Sequence, residues 1–192
     1  MEIAQMRMEL VCPKSKTTLE ISGDMLVSRE GNKYPIKNGV PRFVEEDNYS
    51  NSFGEQWNMF SETQLDSYSG KKITENRLTK CFGLDLWGKL ENKSVLECGC
   101  GAGRFTEILL KKKANVCSVD FSCAVDANVK NFEITDKHKV FQADILGLPF
   151  KEESFDIVFC LGVIQHTPDP EKTIAALYRQ VKPGGFLIID PL

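Results

Sequence analysis

The sequence predicts an α/β fold: a doubly wound, mostly parallel sheet with helices on both faces, preceded by a small β-rich module. Three observations carry this. From Ser94 onward, short apolar runs alternate with amphipathic helical ones, as in strands that cross over into a parallel sheet. A glycine-rich turn joins the first of those runs to a helix. Residues 1–44 instead form short alternating segments broken by turn residues.

In the first 44 residues, Leu19-Glu20-Ile21 and Met25-Leu26-Val27 read as strands, separated by Ser22-Gly23-Asp24, Glu30-Gly31-Asn32 and Lys37-Asn38-Gly39. An acidic polar run, Glu45 to Ser52, reads as a linker, and residues 53–93 as helices leading into a core, so 45–93 form a joining region. The core, 94–192, has strands expected at Ser94–Cys98, Val116–Val119, Lys139–Gln142, Asp156–Leu161 and Phe186–Ile189. The helix after the first strand puts Phe105, Ile108 and Leu109 on one face. Asp169-Pro170 supplies a cap and a first-turn proline for another helix carrying Ile174, Leu177, Tyr178 and Val181, with Pro183-Gly184-Gly185 as its stop. Right-handed crossovers then place any ligand crevice at the carboxyl ends of the strands, where the strand order reverses.

Composition narrows the function. The 192 residues are 42% hydrophobic with a net charge of −3, which gives no electrostatic case for a protein that mainly holds nucleic acid. No apolar run reaches the roughly 20 residues of a membrane span, and Met1 to Arg7 lacks a signal-peptide apolar region, so the expectation is a cytoplasmic protein. Seven scattered cysteines without a Cys-x-x-Cys pair agree, indicating neither a disulfide framework nor a metal knuckle. Cys98 and Cys100 read as lining residues rather than ligands. His138, beside lysines, reads as a solvated residue at a helix end, and Trp57 as a packing residue.

Between the first core strand and its helix lies Glu97-Cys98-Gly99-Cys100-Gly101-Ala102-Gly103. Glycines at alternate positions let the backbone turn sharply and come close to a ligand, while the helix start offers free N–H groups. The G-x-G-x-G spacing departs from the G-x-G-x-x-G dinucleotide fingerprint, which disfavours a nicotinamide cofactor. Asp120, about twenty residues beyond Gly99, stands where a carboxylate can accept both hydroxyls of a ribose.

Taken together, Glu97-x-Gly99-x-Gly101-x-Gly103, Val119-Asp120-x-Ser122, Ala143-Asp144-x-x-x-Leu148-Pro149-Phe150, Ser154-Phe155-Asp156-x-Val158 and Lys182-Pro183-Gly184-Gly185 resemble the class I S-adenosylmethionine-dependent methyltransferases of small molecules. The resemblance covers residues 94–192 and implies a Rossmann-like core and S-adenosylmethionine as cofactor. It implies that Glu97, Gly99, Cys100, Gly101 and Gly103 surround the methionine part, Asp120 holds the ribose and Phe121 flanks the adenine. Asp144 would accept from the adenine amino group beside Ile145, and Leu161 would line the methyl-donor cleft. Arg77, on a pre-core helix similar to the lid helices of related enzymes, could pair with the cofactor carboxylate or stand exposed. His166, after the fourth core strand, is the candidate base, with a purely architectural role as the alternative.

Leu10-x-Cys12-Pro13-x-x-Lys16-x-x-Leu19 and Tyr34-Pro35-Ile36-x-x-Gly39-Val40-Pro41 resemble the zinc-ribbon activators of methyltransferases. Ser15 stands where that family has its second cysteine, and Val27 and Glu30 fall near the other pair, so a metal-free module is expected. The family sheet normally has seven strands, whereas the sequence stops after the fifth, so a fragment or an edge covered by another chain or copy is expected. The functional expectation is methyl transfer to a small-molecule acceptor. The alternatives are a non-catalytic cofactor-binding or docking protein and, less favoured, a nicotinamide-dependent oxidoreductase.

Overall fold

In the computed structural model, residues 8–45 and 51–190 are described, with backbone only for 51–53; Met1 to Arg7, most of the acidic run (46–50) and Pro191-Leu192 lie outside them. Two sheets organise the chain. The first is an antiparallel meander of β1 (Leu19–Ser22), β2 (Met25–Ser28), β3 (Lys33–Lys37) and β4 (Val40–Pro41). The second contains β5 (Ser94–Cys98), β6 (Asn115–Asp120), β7 (His138–Gln142), β8 (Phe155–Cys160) and β9 (Val181–Ile189), all parallel, in the order β7-β6-β5-β8-β9. The order reverses at β5, so the doubly wound arrangement expected from the apolar runs is present.

Period-2 alternation divides the side chains of this sheet between two cores. Val95, Val116, Ile157 and Phe159 pack against α3 (Ile73–Trp87) and α4 (Arg104–Lys111) through Leu78, Phe82, Phe105 and Leu109. On the opposite face, Leu96, Val119, Phe141 and Val158 share one cluster with Ala176 and Leu177 of α6 (Pro170–Arg179). Leu10, Leu19, Leu26, Tyr34 and Ile36 of the amino-terminal sheet belong to that same cluster. The hydrophobic core is therefore continuous across the join between the two sheets.

The amino-terminal sheet lies along the outer edge of β7. Arg42 forms a parallel bridge with Gln142, and the Phe43 N–H donates to the Gln142 carbonyl at 2.7 Å. The buried Arg42 guanidinium donates to Gln142 Oε1 at 3.1 Å and to Asp126 at 2.6 Å, on α5 (Val125–Asn131). Within the ribbon-like module, Ser15 Oγ and Thr17 Oγ1 donate to Glu30 Oε2 at 2.9 and 2.7 Å, and Cys12 Sγ lies 3.2 Å from the Tyr34 hydroxyl. The Tyr34 ring packs on Phe43 with centroids 4.8 Å apart.

The turn signals near the carboxyl end act differently from the sequence expectation. Helix α6 is capped by Asp169, which accepts from Lys172 N at 3.0 Å, but it ends at Arg179. Pro183-Gly184-Gly185 instead lie inside β9, where the register against β8 shifts. A Cβ on Gly185 would come within 2.7 Å of the Asp156 carbonyl, so the close strand approach, and not helix termination, requires glycine there.

Candidate functional site

A cleft of about 410 Å³ opens at the carboxyl ends of β5, β6, β7 and β8. Its floor is the glycine loop between β5 and α4. Gly99 and Gly101 have φ of +80° and +50°, in the region that favours glycine. A Cβ on Gly99 would stand 2.2 Å from Val163 Cγ2, so the loop passes the β8 turn only without a side chain. A Cβ on Gly101 would stand 3.8 Å from Trp57, an ordinary contact distance, so the indole lies close over the loop backbone.

The ends of β6 and β7 supply the next wall. Asp120 Oδ2 accepts from the Gly101 N–H at 2.8 Å, and Oδ1 accepts from Ser122 N and Oγ at 2.8 and 2.6 Å. Its carboxylate thus locks the loop to the end of β6 and still lines the cleft beside Phe121. Asp144 accepts from Leu146 N at 2.9 Å and caps the short 3-10 turn Ile145–Gly147, with Ile145 at the cleft wall. Gln142 Nε2 donates to the Phe121 carbonyl at 3.1 Å, so the Arg42 contact of the amino-terminal module reaches this wall through one side chain.

Leu161, Gly162 and His166 come from the segment after β8, with His166 exposed on the rim in the 3-10 turn Ile164–His166. Helix α1 (Asn51–Met59) closes the other side, and Gly54 explains how. A Cβ there would meet Cys123 Sγ at 2.3 Å, so the helix lies directly on the turn after β6 and carries Trp57 over the loop. The short helix α2 (Asp66–Ser69) and α3 are fastened by two caps in series. Glu107 of α4 accepts from the Asp66 and Ser67 N–H groups, and Asp66 accepts from Thr74 and Glu75 N–H, all between 2.9 and 3.1 Å.

The cleft gathers Arg77, Gly99, Cys100, Gly101, Asp120, Phe121, Asp144, Ile145, Leu161 and His166 from the predicted set. Glu97 and Gly103 are not among its lining residues. Gly103 sits behind the loop as the residue preceding α4. Glu97 is fully buried beneath it, accepting from Thr106 Oγ1 at 2.6 Å and Ser118 Oγ at 3.0 Å. Burial pushes its carboxyl up to about 7, against those hydrogen bonds, and its Oε1 has no partner. Glu97, expected among the residues that surround the methionine part, thus lies beneath the loop, because strand alternation turns its side chain toward Thr106 of α4.

His138 also departs from expectation. It is fully buried in β7, with Nδ1 3.1 Å from the Glu133 carbonyl and Nε2 3.4 Å from Ser118 Oγ, and burial lowers its pKa. The neighbouring Lys137 and Lys139 alternate outward while the imidazole points inward, so their charge does not report its burial. Trp57, expected as a packing residue, lines the cleft. Arg104 and Phe105, at the start of α4, line it too; the sequence pattern places Phe105 on the apolar face of that helix and gives Arg104 no role, although its place directly after Gly103 is a usable signal. Arg77 reaches the cleft but pairs with Asp190 at 2.7 Å, whose other oxygen accepts from the Gly162 N–H at 2.9 Å.

The residues present fit a nucleoside bearing an amino-acid tail. The side-chain-free loop and Trp57 line the cleft, carboxylates lie at the ends of β6 and β7, and the cationic Arg77 and Arg104 line it as well. This fold with this cleft is the arrangement implied by the resemblance to the class I S-adenosylmethionine-dependent methyltransferases.

Comparison with known proteins gives the same class. Residues 96–189 match the family described as Methyltransferase domain, and this part of the chain belongs to it. A ubiquinone biosynthesis O-methyltransferase of Pseudomonas putida (strain GB-1) is 35% identical over 112 residues, covering 57% of this chain and 48% of the relative. A like-named protein of Hydrogenovibrio crunogenus is 34% identical over 106 residues, covering 54% and 44%. The chain thus spans about half the length of the curated relatives it matches. Among solved structures, a SAM-dependent methyltransferase from Aquifex aeolicus superposes with a TM-score of 0.54 at 23% identity, covering 71% of each chain, and shares the fold.

Proposed function

We propose that this chain transfers the methyl group of S-adenosylmethionine to a small-molecule acceptor. The observation that supports this most is the convergence of the glycine loop, Asp120 and Asp144 on one cleft whose opposite rim carries His166. In this reading Asp120 holds the ribose, Asp144 and Ile145 receive the adenine edge, Phe121 flanks the base, and Gly99 to Gly101 border the amino-acid part. Glu97 supports the loop from below through Thr106 and Ser118. When bound, the cofactor supplies a methyl group activated by its sulfonium, ready for direct displacement.

The chain's own contribution is then alignment and exclusion of water. Trp57 and Leu65 cover the loop, Leu161 and Val163 hold the acceptor side, and a ring nitrogen of His166 takes the proton when the acceptor arrives protonated. A cytoplasmic setting belongs to the same reading, as does pairing of a second copy along the outer edge of β9.

Calorimetric titration with S-adenosylmethionine, with NAD in parallel, tests the cofactor assignment. Saturable binding of S-adenosylmethionine alone, weakened at least tenfold in Asp120→Ala, is the expected outcome. Equal binding by the variant, or binding of NAD, would sink it. The Asp120 change also releases Gly101 N–H, so circular dichroism of the variant must match the parent.

A further inference from the structure

A second cavity, of about 700 Å³, lies between the amino-terminal module and the core. One wall belongs to the module and includes Val11, Pro13 and Lys16, and the others are the chain from Ile145 to Glu152 and the end of α6. Backbone contacts fasten the module there. The Val11 N–H donates to the Pro149 carbonyl at 2.9 Å, Leu10 bridges Phe150, and Pro13 Cβ lies 3.5 Å from where a Cβ on Gly147 would stand. The volume is in the range that holds a small organic molecule.

The lining specifies what such a molecule would carry. Val11, Pro13, Leu148 and Phe150 give it apolar surface, and Leu146, a large aliphatic side chain, is 42% exposed. The charges around this surface do not balance. Glu9 accepts from Lys151 and from Thr18 Oγ1, and Glu152 faces Arg179 Nε at 3.5 Å, whereas the Lys16 side chain has no ion pair or hydrogen bond among the described residues. Gln180 is the second loose end. It is buried, yet its Oε1 has no hydrogen-bond partner among the described residues. A buried acceptor without a donor is costly and uncommon. A negative group would answer Lys16, a hydroxyl or N–H donor would answer Gln180, and an apolar body would cover Leu146 and its neighbours.

We infer that this cavity is a second ligand site, taking a small organic anion with an apolar body and one hydrogen-bond donor, and that its occupant is felt in the cofactor cleft through the Ile145–Gly147 turn. Ile145 and Leu146 line both cavities, and Asp144 caps the turn from the cleft side by accepting from Leu146 N. A molecule packed on Leu146 in one cavity therefore restrains the wall of the other, and linkage makes the effect reciprocal. The site goes beyond the methyl-transfer reading; only the coupling rests on it.

Calorimetry on the full chain tests both parts. The probe is 6-hydroxy-2-naphthoate, compared with 2-naphthoate, which lacks the donor, and 2-naphthol, which lacks the charge. Each is titrated with and without saturating S-adenosylhomocysteine, which keeps the probe out of the cofactor cleft. The expected result is saturable binding of 6-hydroxy-2-naphthoate in both cases, with an affinity that S-adenosylhomocysteine changes at least twofold. Lys16→Gln weakens both naphthoates about fivefold and leaves 2-naphthol within twofold. Gln180→Leu removes the preference for 6-hydroxy-2-naphthoate over 2-naphthoate. Should that variant fail to fold, Lys16→Gln carries the test, since its side chain is exposed. Absence of saturable binding to the protein loaded with S-adenosylhomocysteine, or binding that Lys16→Gln leaves unchanged, overturns the site. Equal affinity with and without S-adenosylhomocysteine overturns the coupling. A parent that binds the probe through Lys16 but does not bind S-adenosylhomocysteine overturns the methyl-transfer reading and leaves the site standing.

Discussion

The two edges of the parallel sheet are treated in opposite ways. At β7 the chain closes its own edge: Phe43 and Arg42 bond to Gln142, and Leu10, Tyr34 and Ile36 continue the core beneath. At β9 the inner side pairs with β8, but Phe186 remains 51% exposed and Ile189 36%. The covered edge is also the one nearer the predicted adenine wall, because Gln142 contacts both Arg42 and the Phe121 carbonyl. A segment that looks separable in the sequence thus supports the cleft from behind, whereas the strand within the matched family region carries the loosest edge.

The largest expected effect comes from breaking the covered side. Phe141 of β7 is fully buried and meets Phe150 edge to face at 5.0 Å, within the cluster that includes the amino-terminal sheet. Phe141→Ala should cost about 3–5 kcal/mol through lost burial and the cavity left behind. Urea unfolding followed by circular dichroism measures this directly. A loss below about 1 kcal/mol would mean that the two sheets do not share a core in solution.

A second, smaller effect probes the polar layer between β7 and the loop. Glu97, Thr106, Ser118, His138 and Asn128 form a buried hydrogen-bonded chain in which Glu97 Oε1 and Asn128 Oδ1 lack partners. Because burial raises the folded-state pKa of Glu97 from 4.5 to about 7, the native state holds a proton that the unfolded chain releases. This contribution is fully present below pH 4.5 and is lost as pH rises through about 7. Glu97→Gln removes the ionisation, so it should gain on wild type between those pH values, by up to about 3 kcal/mol at pH 8. Denaturant midpoints at pH 5 and pH 8 give the comparison; an unchanged difference between the two would rule out a titrating Glu97.

Much of this was legible in the sequence because backbone chemistry and periodicity speak locally. The Ser94–Cys98 strand and the Arg104–Lys111 helix fall where the apolar pattern puts them, and the glycine spacing marks the loop. The orientation of Glu97 was hidden because it depends on which face of β5 meets α4, a tertiary fact. The burial of His138 was hidden for the same reason: β7 is short and its lysine neighbours advertise water. Trp57 could not be placed from spacing, since its position follows from Gly54 touching Cys123, a contact across 69 positions of chain numbering between Gly54 and Cys123. The ion pair between Arg77 and Asp190 joins residues 113 apart and leaves no local trace.

The smallest expected effect lies at the open edge. Phe186 buries less than half of its surface, so Phe186→Ser should cost under about 1 kcal/mol in the isolated chain, well below the change at Phe141. Its value is diagnostic, because a second copy paired along β9 would desolvate that ring and make the same substitution felt as weakened association. Sedimentation velocity of parent and variant over a range of concentrations separates the cases. A concentration-dependent parent that becomes monomeric on Phe186→Ser places the covering strand on β9; two monomers that unfold at nearly the same urea concentration show that no second copy covers β9, in contrast with the edge that residues 42 and 43 cover at β7.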